Sequence, residues 1–275
     1  MQVVLQTRFS YFGVSGWRSD ASKQAALLFD EKRLAERFRI FGAVTIPSLK
    51  AQTDQDFHWQ VLSSKNMPMK WRKRLLTACQ SVLPAAKLDV TFRSPRSASK
   101  IFKNDVRKRF HPKSLVSQVV LDDDDALSSD FVETCKVVCR DVWSKRDTSM
   151  DYVITTFPRG CSLVLQDSQT TLLDRFVPFT NLGLTLTSRP DCKRNLFAMS
   201  HKRIGLRHPH TEFDDGKPRY LRTVHNHNDS RAMINKKASE VPYKSLARFF
   251  PQLAKGDTIQ ALGLVREPEV SLSVA

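Results

Sequence analysis

A chain of 275 residues with 41% hydrophobic and 26% charged side chains has the balance of a globular protein, which excludes wholesale disorder. Its 44 lysines and arginines against 28 acids leave a formal charge of +16, an excess that attracts polyanions: nucleic acid, anionic lipid headgroups or a phosphorylated substrate. The basic residues are scattered, with no arginine-rich tail and no zinc-finger spacing, so nucleic acid is the weaker choice of partner.

In chain order, Val3-Val4-Leu5 reads as a short buried strand that opens into a loop with Gly13 and Gly16. A helical pattern starts near Glu31, with Leu34, Phe38 and Phe41 on one face, and Pro47 is expected to kink or end it. Phe57 to Leu62 is the next strand. Pro68 suits a first helical position ahead of the apolar face Trp71, Leu75, Ala78, Cys79 and Val82, and Pro84 stops that helix. Leu88, Val90 and Phe92 alternate as in a strand. Residues 93–113 turn basic and irregular, either a solvated face or a phosphate-facing segment.

Ser117 to Leu121 is a β-rich apolar run that delivers Asp122, Asp123, Asp124 and Asp125. Asp130 and Glu133 then form a capping box for a helix with the stripe Phe131, Cys135, Val138 and Val142. Strand and helix alternate to this point, which predicts an α/β fold with a mostly parallel sheet. Beyond Asp151 the alternation fails. Tyr152–Thr156 and Ser162–Leu165 flank Phe157-Pro158-Arg159-Gly160 as a hairpin, Arg219–Val224 is a strand, and 244–253 is a short amphipathic helix. We expect a single domain, residues 1–275, with a nucleotide-binding half at 1–150 and a β-rich acceptor-side half at 151–275.

Five cysteines without a CxxC pair point to reduced thiols, and Cys135 and Cys139 share a helical face as packing residues. The opening residues lack a signal-peptide pattern, and no apolar stretch reaches the roughly 20 positions of a spanning helix. The expectation is a cytoplasmic protein, with peripheral contact to the anionic inner membrane face as an option.

Four adjacent carboxylates repel one another unless solvent or a cation relieves them. Placed where a strand ends and a helix begins, they lie where open α/β sheets bind ligands. Carboxylates there suit Mn²⁺ or Mg²⁺, whose remaining positions are filled by phosphate oxygens. Such an ion offsets charge on a departing diphosphate.

The segment Leu121 to Leu127, with Asp130-Phe131-Val132, resembles the Asp-x-Asp segment of GT-A glycosyltransferases. Ile46-Pro47-Ser48-Leu49, Ala51-Gln52-Thr53-Asp54-Gln55-Asp56-Phe57-His58-Trp59, Phe157-Pro158-Arg159-Gly160 and Val224-His225-Asn226-His227-Asn228 are similar to a bacterial rhamnosyltransferase family. The resemblance runs from Val4 to about Arg231. It implies a GT-A-like fold and sugar transfer from a nucleotide-diphosphate sugar to a hydroxyl of a glycan or glycolipid. It also implies that Asp122 and Asp124 are the motif pair, with Asp125 in support and Asp122 and Asp123 near the nucleotide. His225 joins the metal from the far side of the sequence, and Thr7 and Arg8 meet the nucleotide after the first strand. The donor sugar is not fixed by it.

Read by themselves, His225 and His227 could bind zinc, but nothing completes a tetrahedral set at a usual spacing. His201, His208 and His210 lie in a polar, basic stretch that suits the acceptor side. Inverting transfer needs a base, and Asp191, Glu212, Asp214 and Asp215 are all available. Two rivals stay open: a metal-dependent nucleotidyltransferase, which also uses strand-end carboxylates, and a non-catalytic basic nucleic-acid binder.

Overall fold

A computed structural model describes residues 1–14, 23–166, 170–225, 228 and 238–263. The described strands are β1 (Gln2–Arg8), β2 (His58–Ser64), β3 (Leu88–Arg93), β4 (Val116–Val120), β5 (Ala126–Leu127), β6 (Tyr152–Thr156), β7 (Arg159–Leu165), β8 (Thr170–Phe176), β9 (Thr185–Ser188), β10 (His210–Glu212) and β11 (Tyr220–Val224). The described helices are α1 (Ala25–Leu28), α2 (Glu31–Ile40), α3 (Ile46–Lys50), α4 (Met69–Gln80), α5 (Ala98–Arg109), α6 (Phe131–Lys145), α7 (Ile204–Arg207), α8 (Tyr243–Leu246) and α9 (Gly256–Leu262).

Seven strands form one sheet in the order β10-β6-β9-β4-β1-β2-β3, and only β9 runs against the others. This is the mostly parallel α/β sheet that the alternating pattern predicts. Its middle is buried on both faces, so β1 and β4 carry long runs of buried residues rather than a solvent-facing alternation. The sheet takes strands from both sides of residue 150. A smaller sheet, β5-β11-β7-β8, stands beside it, joined through the segment that follows the aspartates.

Several local expectations are corrected. Residues 93–113 are not irregular: α5 forms because Ser97 caps it, accepting from Lys100 N–H at 3.4 Å, while Ile101, Phe102 and Val106 supply a buried face. The basic residues Arg107, Lys108 and Arg109 fall in its last turn, where the helix dipole favours them. The expected hairpin does not exist. β6 belongs to the large sheet and β7 to the small one, so Phe157 and Pro158 pass the chain from one sheet to the other. Gly160 is required at that passage, because a Cβ there would lie 2.5 Å from the Tyr220 ring.

The capping box on α6 fails too. Asp130 occupies the N-cap position, yet its carboxylate accepts from Ser128 Oγ and Arg219 Nη1, each at 2.8 Å, and Glu133 accepts from Thr53 Oγ1. A charge-assisted bond to a nearly buried guanidinium outcompetes a backbone cap. The 244–253 segment splits into α8 and a 3-10 turn at Pro251–Ala254, although Leu246, Phe250 and Leu253 are buried as expected.

Pro47 does not end its helix. The chain stays helical from Glu31 to Lys50, but α2 and α3 are joined by a π-turn over Phe41–Thr45. Pro47 then falls in the first turn of α3, where a missing N–H costs little. All five cysteines are free and buried. Among the described residues, no helix is long and apolar enough to cross a membrane.

Candidate active site at the end of β4

Register places the first pair of site residues. Gln6 is opposite Val120 in the parallel pairing of β1 with β4, so Arg8 comes level with Asp122 just past the strand end. Arg8 Nη2 donates to Asp122 Oδ1 at 3.1 Å, and the guanidinium lies 4.6 Å from the centroid of the Phe197 ring. Beneath them Gln6, Gln60, Gln118 and Asn195 form a buried chain of amide hydrogen bonds across β1, β2 and β4. Because side chains alternate along β1, Thr7 points the opposite way. It is fully buried, and its hydroxyl accepts from Trp59 Nε1 at 3.0 Å. Thr7 is therefore a core residue, not the nucleotide contact expected of it.

The other three aspartates turn inward. Asp123, Asp124 and Asp125 are 1%, 5% and 6% exposed. Arg37 reaches them from α2, donating through Nη1 to Asp124 Oδ2 at 3.1 Å and through Nη2 to Asp123. The same Asp124 oxygen lies 3.0 Å from His225 Nε2 and accepts from Asn228 Nδ2 at 2.9 Å. His225 arrives there because β11 ends at Val224, and Asn228 Oδ1 accepts from the His225 N–H at 2.6 Å. Burial alone would raise the Asp124 pKa, but the Arg37 charge and the His225 hydrogen bond outweigh it and hold the carboxyl below its usual range.

Asp125 behaves in the opposite way. Burial, then the charges of Asp124 and Asp122, push its pKa well above the usual value, with Arg222 and the Thr223 N–H opposing. Its Oδ1 accepts from Thr223 N–H at 2.8 Å, and its carbonyl accepts from Thr45 Oγ1 at 2.8 Å. Asp125 thus ties the acidic turn to β11 and to the π-turn Phe41–Thr45 rather than joining Asp124 and His225, which corrects its expected place among the metal-facing carboxylates.

The candidate bases are not gathered here. Asp191 follows β9, which leaves the sheet at Ser188 opposite Val116, the first residue of β4. It is an exposed turn residue at the far edge from the aspartates. Asp214 forms a paired contact with Arg159, with both bonds at 2.9 Å, and Asp215 pairs with Arg219. Glu212 is exposed at the end of β10, three strands from β4 and so about 14 Å along the sheet. His201 sits nearer in electrostatic terms: partial desolvation, then Lys202 and Arg222, lower its pKa while Asp122 opposes. His208 instead shares a 2.8 Å hydrogen bond with the Tyr152 hydroxyl, and His227 lies outside the described residues.

Arg37 was not anticipated from the sequence, although a signal existed. Arg33 and Arg37 interrupt the apolar face of α2 marked by Leu34 and Phe38, and a charge inside a buried stripe must find a partner.

Among the described residues no three histidine, cysteine or acidic side chains converge to hold a metal by themselves. Mg²⁺-type ions commonly take only one or two protein carboxylates and complete their shell with substrate phosphates and water. The Asp124–His225 pair, with Asp122 at the solvent side, fits such a substrate-completed site, and Asn228 supplies the supporting hydrogen bond that orients a ligand.

Fold and site together define an α/β protein with clustered carboxylates at the carboxyl ends of its strands, where open sheets of this kind take their ligands. The chain belongs to the family described as "Putative rhamnosyl transferase", whose model matches residues 2–237. Crystal structures of S. aureus TarS are distantly similar. Its 1–349 fragment gives a TM-score of 0.41 at 14% identity, over 81% of this chain and 60% of that one. The same fragment in complex with UDP gives 0.43 at 13%, over 82% and 61%. The inositol-1-phosphate CTP transferase from T. maritima gives 0.36 at 7%, over 93% and 97%. The chain thus spans about three fifths of the TarS fragment. No curated protein matches its sequence.

Proposed function

We propose that this chain moves a sugar from a nucleotide-diphosphate donor to a hydroxyl of a glycan or glycolipid, with Mn²⁺ or Mg²⁺ at Asp124 and His225. The observation that carries this reading is the 3.0 Å approach of His225 Nε2 to Asp124 Oδ2 across 101 residues of sequence, at the strand ends where an α/β sheet takes its ligand. When bound, the ion supplies charge neutralisation for the leaving diphosphate.

The protein's own groups do the rest. Arg8, held between Asp122 and the Phe197 ring, is a fixed and largely buried cation beside the aspartates, and its guanidinium suits a phosphate. Arg37 keeps Asp124 ionised inside the protein, so its carboxylate is ready for a cation without first losing a proton. His201, whose pKa is lowered by partial desolvation and by Lys202 and Arg222, is our choice for the group that accepts the proton of the acceptor hydroxyl. The +16 charge also suits peripheral contact with an anionic membrane that presents a glycolipid.

Calorimetric titration of UDP-, GDP- and dTDP-sugars tests the reading. One donor should bind in Mn²⁺ and lose most of its affinity in EDTA, with nucleoside diphosphate as the released product. Undiminished binding in EDTA would sink the role of the ion. Release of pyrophosphate from a nucleoside triphosphate and a sugar phosphate would make the chain a nucleotidyltransferase instead.

A further inference from the structure

The edge of the large sheet that carries the aspartates also carries a second concave site, at the ends of β2 and β3. The two strands finish level, Ser64 opposite Arg93, and Lys65 N–H donates to the Arg93 carbonyl at 2.9 Å. Here a cavity of about 380 Å³ is lined by Lys65, Arg72, Phe92, Arg93, Ser94 and Arg96. Four of these six residues are cations, and the cavity lining contains no acid.

Elsewhere the fold pairs many of its cations. Lys136 bridges Asp54 and Asp56, Arg109 holds Asp89, Arg159 holds Asp214, and Arg219 joins Asp130 to Asp215. In the groove none of the four lies within ion-pair distance of a carboxylate among the described residues. Arg72, in the first turns of α4, lies 5.8 Å from the centroid of the Phe92 ring, and its Nε is buried without a hydrogen-bond partner. A buried donor left unpaired is costly, and like charges around one concavity add to that cost unless an anion enters.

The wall is also fixed in place. Tyr11 is fully buried, and its hydroxyl accepts from Arg96 N–H at 3.1 Å and lies 3.0 Å from the Arg96 carbonyl as donor. Val14 and Ala98 complete the loop, with Val14 N–H donating to the Arg96 carbonyl and Ala98 N–H to that of Val14, both at 3.1 Å. The arginine backbone is thus held before any ligand arrives.

From this geometry we infer that the groove between β2 and β3 binds a phosphate group, separately from the donor crevice at β1 and β4. Arginine forks match phosphate oxygens in pairs, and three arginines and a lysine suit a phosphate ester better than a lone carboxylate. That phosphate belongs either to a lipid headgroup or to a soluble phosphorylated molecule.

The test uses the full chain in EDTA, with inorganic phosphate as the first probe, followed by ³¹P line broadening. The Arg72→Gln/Arg93→Gln variant should weaken phosphate binding tenfold or more. Asp124→Asn and a charge-matched control on α6, Arg140→Gln/Lys145→Gln, should leave it unchanged. Co-sedimentation with phosphatidylglycerol vesicles, against phosphatidylcholine, then assigns the source: loss in the groove variant but not in the control marks a headgroup, and equal sedimentation of both marks a soluble phosphate. Equal phosphate affinity in the groove variant and the control would overturn the proposal, as would phosphate binding that disappears with Asp124→Asn. Neither result would disturb the metal-dependent reading of the donor crevice.

Discussion

The two ends of one sheet edge treat charge in opposite ways. At the end of β4, buried carboxylates meet a cation or imidazole from a distant element: Asp123 and Asp124 meet Arg37, and Asp124 meets His225. At the ends of β2 and β3, cations crowd an open groove with no acid among them. The first arrangement is internally paired, with Asp123, Asp124, Arg37 and His225 held out of water against one another. The second has no such pairing within its lining, and a bound anion would relieve its like charges. The net charge of +16 is therefore a poor description of either region.

Breaking the paired end should have the largest effect. Arg37 and Asp123 have side chains only 2% and 0% exposed, so Arg37→Met strands buried carboxylates. We expect a loss of about 3–5 kcal/mol, seen as a fall in Tm of roughly 10 °C. Adding Asp123→Asn should restore part of it, and an unchanged Tm in Arg37→Met would show that water reaches these groups. Next comes Asp124→Asn, which keeps the shape and removes the charge that faces His225. Turnover should fall on the order of 100-fold or more with little change in Tm. In the same assay His201→Gln should lower kcat and spare donor affinity. A variant at Asp124 with normal turnover would place the chemistry elsewhere.

The smallest effect sharpens the contrast between buried and exposed pairs. Lys136 Nζ reaches Asp54 at 2.8 Å and Asp56 at 3.2 Å, with side chains far more open than Arg37. Partial burial raises the Asp54 pKa, but the Lys136 hydrogen bond and the Asp56 N–H together outweigh it and lower it; Asp56 is lowered by Lys87 first and by Lys136 second. A carboxylate with a depressed folded-state pKa contributes stability above its unfolded value, near 4, and loses it as pH falls through the folded value. Lys136→Gln should therefore cost only about 0.2–1 kcal/mol at pH 7, and its Tm gap to the native chain should close below about pH 4. A gap that persists in acid would mean that packing, not charge, carries the contact.

What the sequence made legible were features that local pattern determines. Val116–Val120 leads straight into the aspartates, and both the parallel sheet and the strand before His225 follow from apolar runs of the right period. What it hid depends on partners far along the chain. Arg37 meets Asp123 across 86 residues, and the Asp130 cap was lost to Arg219 across 89. The false hairpin shows the same limit: Phe157-Pro158-Arg159-Gly160 looks like a turn locally, yet the strands on either side pair in different sheets. The acids chosen as bases were read from composition, and the direction of β9, which no local signal records, sends Asp191 to the wrong edge.

The π-turn at Phe41–Thr45 acts as a phase correction. Arg37 and Thr45 both touch the acidic turn, one through its guanidinium and the other through its hydroxyl. In an uninterrupted α-helix, residues eight apart are about 80° out of line, too far round for both to face one target. The wider turn absorbs the excess rotation, so a single continuous helical segment presents two contacts on the same side. A chain that lost one residue here would have a more regular helix and a misaligned scaffold. The segment is thus held in its less common form by what it must reach, not by its own preference.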